Sequence, residues 1–353
     1  MNADLSESLR QAVSDAGNLG TPLMIVGSGS KAFYGRKAAG NFLEVAGHAG
    51  ILRYEPTELV ITARCGTRLS DIESALAECG QMLPFEPPYF GQDATLGGTL
   101  ACGFSGPRRP FAGSARDCML GCRILNGKGE VLSFGGEVMK NVAGFDVSRL
   151  MVGAMGTLGV ILEASLKVCP KPEHELTVCF ESSVEHALSA MNRWCSEPWP
   201  LSGLAYDGNR IYIRLSGSER AVDAVYRKFG GEILEDGNAF WEDLREQRHE
   251  FFRADGNLWR ISLAPATPVL DVPGDWFYDW GGALRWLKTD APAEAVFRAA
   301  EAAGGHATLF RGDSGDGRVF QPLSEGLKCL HANLKKAFDP NGLFNPGRFY
   351  ENF

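Results

Sequence analysis

The chain has 353 residues, of which 44% are hydrophobic and 22% are charged, and it is long enough for two domains with a core in each. Its formal net charge of −8 disfavours nucleic acid or an anionic lipid surface as the main partner. The apolar runs are too short to cross a bilayer and the first residues lack the pattern of a signal peptide, so we expect a cytoplasmic protein.

The first half of the chain alternates short strands with amphipathic helices. Apolar spacing predicts a helix over residues 3–16, which Gly17 ends, followed by a short buried strand at 22–26. Thr67 is the predicted N-cap of a second helix, whose apolar face carries Leu69 and Ile72. Further strands are predicted at residues 42–45, 51–54, 59–63, 118–125, 130–134 and 159–168, with 118–125 and 130–134 forming a hairpin.

The Pro-Lys-Pro sequence at 170–172 is the predicted domain boundary. Beyond it, the same order of elements occurs twice, at 176–233 and at 258–310. Each repeat is predicted as strand, helix, strand, strand, helix, strand, and a short helical turn at 266–270 takes the place of the first helix in the second repeat. Residues 240–252, between the two repeats, are predicted to be helical. This order predicts an antiparallel sheet with helices on one face. A helix at 322–338 and a turn-rich tail are expected to return to the first domain, which gives domains at 1–171, 172–318 and 319–353.

Nine cysteines stand at scattered positions, without a CxxC pair. Cys118 and Cys122 are four residues apart, but they lie on a predicted strand, where both are expected to be ordinary buried thiols. We therefore expect neither a metal site nor an iron–sulfur cluster held by this chain alone.

Two glycine-rich segments are suited to binding an anionic ligand. The run over residues 95–106 has four glycines within the ten residues 97–106 and is followed by several arginines, so its backbone can lie against a ligand and direct N–H groups at an anion. The segment 27–31, Gly-Ser-Gly-Ser-Lys, directly follows a buried strand and offers amides to a phosphate. It is not a GxGxxG sequence followed by a helix, which disfavours a Rossmann NAD site, and by itself it is equally consistent with a plain tight turn.

With the segments at 140–161 and 345–348, these loops resemble flavoproteins of the vanillyl-alcohol-oxidase type, whose FAD domain is also called the PCMH domain. The motifs are the first glycine loop, TLGG at 95–98, GFD and GTLGVI between 144 and 161, and NPGR at 345–348. KNVAGFDVSRLMVGAMGTLGVILEASLKVCPKP, LWRISLAP and GGHATLFRG are similar in particular to the E-subunit family of bacterial glycolate oxidase (glycolate dehydrogenase). The resemblance implies an α+β fold, in which a two-subdomain PCMH-type FAD-binding domain is covered by an α/β cap domain.

The resemblance also implies where FAD binds. Residues 27–30 would bind the pyrophosphate, the 95–106 run would line the dinucleotide, and 153–161 would contact the adenosine and ribityl portions. Because no His or Cys lies between Gly27 and Gly35, we expect non-covalent FAD, with Cys102 as the one nearby thiol. The implied cofactor-binding residues are Gly27, Ser28, Gly29, Ser30, Lys31, Thr95, Gly97, Gly98, Ala101, Gly103, Gly106, Gly113, Ser114, Gly153, Gly156, Thr157, Gly159, Val160, Ile161, Asn345 and Arg348.

Oxidation of a 2-hydroxy acid by a flavin requires a cation for the carboxylate and a base for the hydroxyl proton. Arg260 and Arg311 are the candidates for the cation, because a guanidinium binds both carboxylate oxygens, and His306 is the candidate for the base. The plainer alternative is that the arginines form ordinary ion pairs and the histidine is packed. Related 2-hydroxy-acid dehydrogenases hold a divalent metal with His and Glu residues, but no second His follows His306 before residue 331, so we expect no metal site.

Three functions remain open from the sequence. The first is an FAD-binding subunit of a glycolate-oxidising complex, which passes electrons from glycolate through flavin to a second FAD subunit and an iron–sulfur subunit. Such a chain would be cytoplasmic and peripheral at the inner membrane through its partners. The second is a self-sufficient FAD-dependent dehydrogenase of D-lactate or another small 2-hydroxy acid. The third is a non-catalytic scaffold with the flavin fold, and of the three we expect the first.

Overall fold

A computed structural model of the chain describes residues 3–136, 146–253, 255–315 and 317–351. The chain divides into two compact units. Unit 1 comprises residues 1–105, 113–171 and 323–353, and unit 2 comprises residues 106–112 and 172–322. This division differs from the predicted domains in two places. Residues 106–112, predicted in the first domain, belong to unit 2, and the chain returns to unit 1 at Leu323 rather than at residue 319.

Helices and short strands alternate through both units. The described helices are α1 (Ser6–Leu19), α2 (Leu69–Glu78), α3 (Leu96–Cys102), α4 (Arg109–Ala112), α5 (Ala115–Cys118), α6 (Val147–Met151), α7 (Val184–Cys195), α8 (Glu219–Phe229), α9 (Gly237–Arg245), α10 (Glu250–Arg253), α11 (Ala293–Ala302) and α12 (Glu325–Phe338). The described strands are β1 (Leu23–Val26), β2 (Asn41–Glu44), β3 (Ile51–Glu55), β4 (Val60–Arg64), β5 (Gln81–Met82), β6 (Met119–Leu125), β7 (Val131–Gly135), β8 (Val160–Lys167), β9 (Cys169–Pro170), β10 (His174–Glu181), β11 (Leu201–Tyr206), β12 (Arg210–Gly217), β13 (Glu232–Ile233), β14 (Leu258–Ser262), β15 (Asp275–Asp279), β16 (Leu284–Lys288) and β17 (His306–Arg311). None of these helices is both long enough and apolar enough to span a membrane.

Unit 1 is built on a five-stranded antiparallel sheet with the strand order β3-β4-β8-β6-β7. Its two faces carry separate hydrophobic cores, because neighbouring residues of β8 point to opposite sides. Ile161 contributes to a core with α2 and α3, whereas Val160 and Leu162 contribute to a core with α1. The second core also holds the parallel pair β1–β2 and Phe344 of the tail, so the C-terminal residues are part of unit 1.

Unit 2 contains an eight-stranded sheet with the order β13-β10-β12-β11-β15-β16-β14-β17, and its strand pairs are antiparallel. The two repeats meet where β11 pairs with β15, at Tyr206 and Tyr278. Helices α7, α8 and α11 contribute to the cores on one face. The opposite face meets α9, whose Trp241 donates a hydrogen bond to Thr177 of β10 at 2.9 Å.

Several element boundaries differ from the predictions, each for a local reason. Helix α1 runs through Gly17 and ends at Leu19, where its C-cap Gly20 takes the left-handed conformation with φ 63°. The N-cap of α2 is Arg68 rather than Thr67, whose hydroxyl instead accepts a hydrogen bond from the Gly50 N–H at 2.8 Å. The predicted helix at 240–252 is divided into α9 and α10, and Gln247 between them has φ 56°. Residues 266–270 form no helix.

Candidate functional site

Unit 1 contains a cleft of about 130 Å³ at the carboxyl end of β1. This volume is below the roughly 300 Å³ typical of pockets for drug-sized ligands, so the cleft can take one part of a dinucleotide. Four chain segments line it: the 24–32 stretch with Ala38, the 95–102 helix region, Met155, and the tail. The lining residues are Met24, Ile25, Val26, Gly27, Ser28, Gly29, Ser30, Lys31, Ala32, Ala38, Thr95, Gly98, Ala101, Cys102, Met155, Asn345 and Arg348.

The loop after β1 is an open backbone cradle. A Cβ on Gly27 would lie 2.6 Å from the Thr95 hydroxyl oxygen, so only glycine fits at this point. Gly29 has φ 75°, a conformation that other residues rarely adopt. Among the described residues, the N–H groups of Gly27, Ser28 and Gly29 find no protein acceptor. Consecutive unpaired amides in a turn of this kind form a concave site for an anion such as a phosphate.

The glycine-rich run forms helix α3, and only one side of that helix lines the cleft. Thr95 is its N-cap and accepts a hydrogen bond from the Gly98 N–H at 3.2 Å. Gly97 lies instead against the backbone of Cys65, to which its N–H donates at 2.7 Å. Gly103 ends the helix with φ 67° and approaches the Cα of Gly153. The structure therefore brings Thr95, Gly98 and Ala101 to the cleft but places Gly97 and Gly103 outside its lining.

The tail closes the cleft through Asn345, which has φ 43° and is buried. Its side-chain oxygen accepts from the Ile25 N–H at 2.8 Å, and its side-chain amide donates to the Met155 carbonyl at 2.7 Å. One side chain thus joins β1 to the 153–161 segment, although it is 320 residues from Ile25 in sequence.

Arg348, predicted to bind the cofactor, holds the loop that follows the cradle. Its guanidinium donates to the carbonyl oxygens of Ala32, Tyr34 and Arg36 at 2.5–3.2 Å. Burial lowers the pKa of Arg348, and these three carbonyls accept hydrogen bonds from its Nη1 and Nη2 groups. The side chain therefore contributes to the cleft chiefly by fixing the shape of residues 32–36.

All six predicted residues between 153 and 161 lie outside the cleft lining, which takes only Met155 from this segment. Val160 and Ile161 are buried in the two cores, and Gly159 approaches the Leu125 carbonyl. The Thr157 hydroxyl donates to the Ala154 carbonyl at 2.7 Å. The remaining predicted glycines of this segment, Gly153 and Gly156, have φ values of 85° and 69° and form turns beside the cleft residue Met155. Residues 140–145 of the matched motif lie outside the described residues.

Three other predicted cofactor residues are used elsewhere. Gly106 belongs to unit 2, where its carbonyl accepts a hydrogen bond from the Trp280 indole at 3.0 Å. Ser114 forms a capping box with Asp117 at the start of α5, and Gly113 lies against the same Asp117 side chain. Local helix capping explains Gly113 and Ser114 without a ligand, and the hydrogen bond from Trp280 gives Gly106 a role within unit 2.

Two side chains of the cleft carry polar groups that bear on cofactor attachment. Lys31 is buried, and its ammonium donates to the Tyr89 carbonyl at 2.9 Å. Burial raises the pKa of the Cys102 thiol to about 11, even though Lys31 and Arg348 act in the opposite direction. A thiol with this pKa is protonated near neutral pH and is a poor nucleophile.

In unit 2, the three predicted catalytic residues lie on the adjacent strands β14 and β17. Arg260 pairs with Thr308, and His306 pairs with Ser262, so Arg260 and His306 share one face of the sheet. A register shift places Arg311 opposite Leu258, on the same face as Arg260. Partial desolvation lowers the pKa of His306, although the residue is exposed, and the positive charge of Arg260 lowers this pKa further.

Trp280 was not predicted as a site residue, although it lies beside Arg260. The Arg260 guanidinium carbon is 5.1 Å from the centre of the Trp280 ring, and that of Arg109 is 4.3 Å from it. Arg109 lies on α4, in the short segment that joins unit 2, and no local sequence pattern predicts this placement. Among the described residues, no group of three or more His, Cys, Asp or Glu side chains is arranged to hold a metal ion.

Several residues that line the cleft were not predicted, because their sequence patterns do not indicate ligand contact. Met24, Ile25 and Val26 form the strand before the glycine loop, and their apolar run predicts burial rather than ligand contact. Met155 stands between glycines and has φ 52°, which an apolar side chain does not reveal from sequence. Adjacency to the predicted glycine loops is the signal by which these residues could have been found.

Comparisons with known proteins agree with this architecture. Residues 3–135 match the family described as the FAD binding domain. The chain is 53% identical to glycolate oxidase subunit GlcE of Escherichia coli (strain K12) over 346 residues, 98% of this chain and 96% of that protein. A stretch of 128 residues, 36% of this chain and 27% of the relative, is 34% identical to glycolate oxidase subunit GlcD of Bacillus subtilis (strain 168). Alkyldihydroxyacetonephosphate synthase has a similar fold, with a TM-score of 0.67 and 17% identity over 96% of this chain and 75% of that one.

The glycine cradle, the antiparallel sheets and the matched FAD domain define a flavoprotein of the PCMH type. This confirms the predicted fold class and the predicted cofactor, FAD. With the full-length likeness to GlcE, the chain belongs to the family of FAD-binding E subunits of glycolate oxidase, a family of oxidoreductases.

Proposed function

We propose that this chain binds FAD non-covalently at the unit 1 cleft and acts as one flavin subunit of a multi-subunit assembly that oxidises glycolate to glyoxylate. The observation that carries the proposal is the cradle at residues 27–29. Its N–H groups have no acceptor among the described residues, and a side chain on Gly27 would clash with Thr95. When bound, FAD supplies the hydride acceptor that oxidation of a 2-hydroxy acid requires.

Within unit 1, each group of cleft residues has a distinct part in holding FAD. The N–H groups of Gly27, Ser28 and Gly29 bind the pyrophosphate, whose two charges need local dipoles in a chain with a net charge of −8. Gly98 keeps the α3 side of the cleft free of side-chain atoms. Asn345 fixes the distance between β1 and the Met155 segment through its two hydrogen bonds.

Non-covalent attachment is supported by the chemistry of Cys102. Its thiol lines the cleft, but burial raises its pKa to about 11. The thiolate that would attack a flavin is therefore scarce near neutral pH. Residues 27–35 contain no His or Cys that would offer another attachment point.

For the substrate, we assign Arg260 and Arg311 to the carboxylate of a small 2-hydroxy acid and His306 to its hydroxyl proton. The three residues share one face of adjacent strands, with Arg260 between the strand positions of Arg311 and His306. Because the pKa of His306 is lowered, its imidazole is free to accept a proton near neutral pH.

The names of two relatives support a proposal about the partner subunits of this chain. GlcE and GlcD are named as subunits of glycolate oxidase. We propose that this chain assembles with a second flavin subunit of the GlcD kind and with an iron–sulfur subunit that carries electrons onward. In this arrangement the chain is cytoplasmic and is held peripherally at the inner membrane through its partners.

The test begins with the purified chain. We expect a flavin absorption band, and acid precipitation should release all the flavin into the supernatant, because the attachment is non-covalent. Glycolate should bleach the flavin only slightly in the isolated chain and fully after assembly with the two partner subunits. A colourless protein would favour a scaffold, and rapid bleaching of the isolated chain by a 2-hydroxy acid would favour a self-sufficient dehydrogenase; either result refutes the proposal.

A further inference from the structure

Unit 2 has a surface groove of about 500 Å³ where α7 and α8 end, and we call it the α7–α8 groove. Its floor is aromatic and consists of Phe180 from β10, Trp194 from α7, Trp199, and Phe229 from α8. The rings of Trp194 and Trp199 lie 5.0 and 4.2 Å from that of Phe229, measured between ring centres. Phe180, Trp199 and Phe229 are only half-buried, so the apolar floor reaches solvent.

The rim of this groove is positively charged. Arg193 and Lys228 lie in the last turns of α7 and α8, and both are exposed. Neither forms an ion pair with any residue in the described part of the chain. His186 also lines the rim, whereas Glu181 is the one carboxylate among the residues lining the groove. The groove therefore has a charge opposite to that of the whole chain, which is −8.

We propose that the α7–α8 groove binds an acidic segment of a partner subunit, with an apolar side chain of that segment inserted over Phe229. The inference rests on the proposed assembly and adds the surface through which this chain joins it. Aromatic floors surrounded by polar groups are typical centres of binding energy in protein interfaces. Charge complementarity selects an acidic partner, and two copies of this chain, each at −8, repel one another.

The first experiment reverses the rim charge in the assembled complex. Arg193→Glu with Lys228→Glu is compared with Arg220→Glu and Arg227→Glu, which make the same change of charge at exposed positions of α8 outside the groove. Each variant is co-expressed with the second flavin subunit and the iron–sulfur subunit. We expect the groove variant to bind the partners at least tenfold more weakly, and the control variant to bind them as the unaltered chain does. Equal binding by both variants would overturn the proposal.

The second experiment identifies the occupant. A photoreactive benzoylphenylalanine replaces Ser189, an exposed residue that lines the groove, and the purified complex is irradiated. We expect a cross-link to a partner-subunit peptide with more Asp and Glu than Lys and Arg. A cross-link to a second copy of this chain, a cross-link to a neutral or basic peptide, or no cross-link would overturn the proposal.

The failures of the two proposals are distinguishable. Flavin content depends on unit 1 residues, so a chain without flavin refutes the proposed cofactor role whatever the groove does. If the unaltered chain does not bind the partner subunits, both the assembly and the occupant of the groove are wrong. If it binds them and the groove variant binds equally well, only the inference about the groove is wrong.

Discussion

The ammonium of Lys335 connects three segments in the C-terminal part of unit 1. This buried side chain of α12 donates to the Asp339 carboxylate at 2.7 Å and to the carbonyls of Thr157 and Phe344 at 2.8 Å. Asp339 is 1% exposed and also accepts hydrogen bonds from the N–H groups of Leu343 and Phe344. One buried ion pair thus holds together α12, the 153–161 segment and the tail that carries Asn345.

Lys335→Met removes the charge but keeps a side chain of similar length, so it opens little cavity. It leaves the Asp339 carboxylate buried without its cation, which typically costs about 3–5 kcal/mol. Two carbonyls also lose a donor, at about 1 kcal/mol each, part of which the 3–5 kcal/mol already includes. We therefore expect the free energy of unfolding to fall by about 4 kcal/mol. Lys336→Met removes the same charge from an exposed neighbour and should change it by less than about 0.5 kcal/mol.

The assay is urea-induced unfolding followed by circular dichroism, with the flavin-to-protein ratio measured on each purified variant. Adding Asp339→Asn to Lys335→Met should restore part of the loss, because an amide leaves no unpaired charge in the interior. The flavin ratio should fall with Lys335→Met, since the tail positions Asn345. A loss below about 1 kcal/mol, or equal losses for Lys335→Met and Lys336→Met, would refute the account of a buried charge.

Three further predictions concern the cleft and the N-terminal region. Gly27→Ala fills the cradle and should weaken FAD binding at least tenfold by equilibrium dialysis, whereas Gly326→Ala, whose Cβ meets no atom within 4 Å, should leave it unchanged. Asn345→Ala breaks two hydrogen bonds and should lower the free energy of unfolding by about 1–3 kcal/mol in thermal or urea unfolding. Burial lowers the pKa of His48, whose ring nitrogen accepts from the Leu5 N–H at 3.0 Å, so its stabilising contribution is present above about pH 6.5 and is lost as the pH falls through the folded-state pKa. His48→Asn should flatten the dependence of unfolding free energy on pH below about 6.5, and an unchanged slope would contradict the assignment.

Hydrophobic spacing predicted most elements because each one covers a core with a single face. The repeated order in unit 2 was readable in this way, since β10 and β12 present alternating apolar residues. The glycine-rich run was harder, because Gly97 and Gly98 disfavour a helix by propensity. Tertiary contacts override that preference, as the close approach of Gly97 to Cys65 needs the absence of a side chain and Thr95 caps the first turn.

The site was predictable only in part, because sequence motifs do not distinguish a glycine that meets a ligand from one that forms a turn. Residues 27–31 line the cleft, but Gly159 is a glycine because a Cβ there would strike the Leu125 carbonyl. The pairing of Asn345 with β1 spans 320 residues and has no local signal. Resemblance to a family provided that long-range information, and spacing within the chain did not.

In the second repeat of unit 2, a buried arginine donates hydrogen bonds to an irregular segment at the position where the first repeat has a helix. In the first repeat, α7 covers the sheet with Leu188, Met191 and Trp194, whereas residues 263–274 of the second repeat form no helix and have carbonyls that need donors. Arg285 of β16 is fully buried on the same face as the α11 core, because it pairs with Ile261.

The Arg285 guanidinium donates to the carbonyls of Thr267, Pro268 and Gly282, and it lies 5.3 Å from the centre of the Tyr278 ring. Burial lowers its pKa, a cost that these acceptors offset by replacing water around the charge. A buried arginine at this position interrupts the apolar alternation of β16. The sequence pattern therefore indicates an unusual residue in the strand, but it does not indicate which backbone carbonyls accept its hydrogen bonds. The guanidinium fixes an irregular segment by satisfying its backbone, which a helix would otherwise do through its own hydrogen bonds.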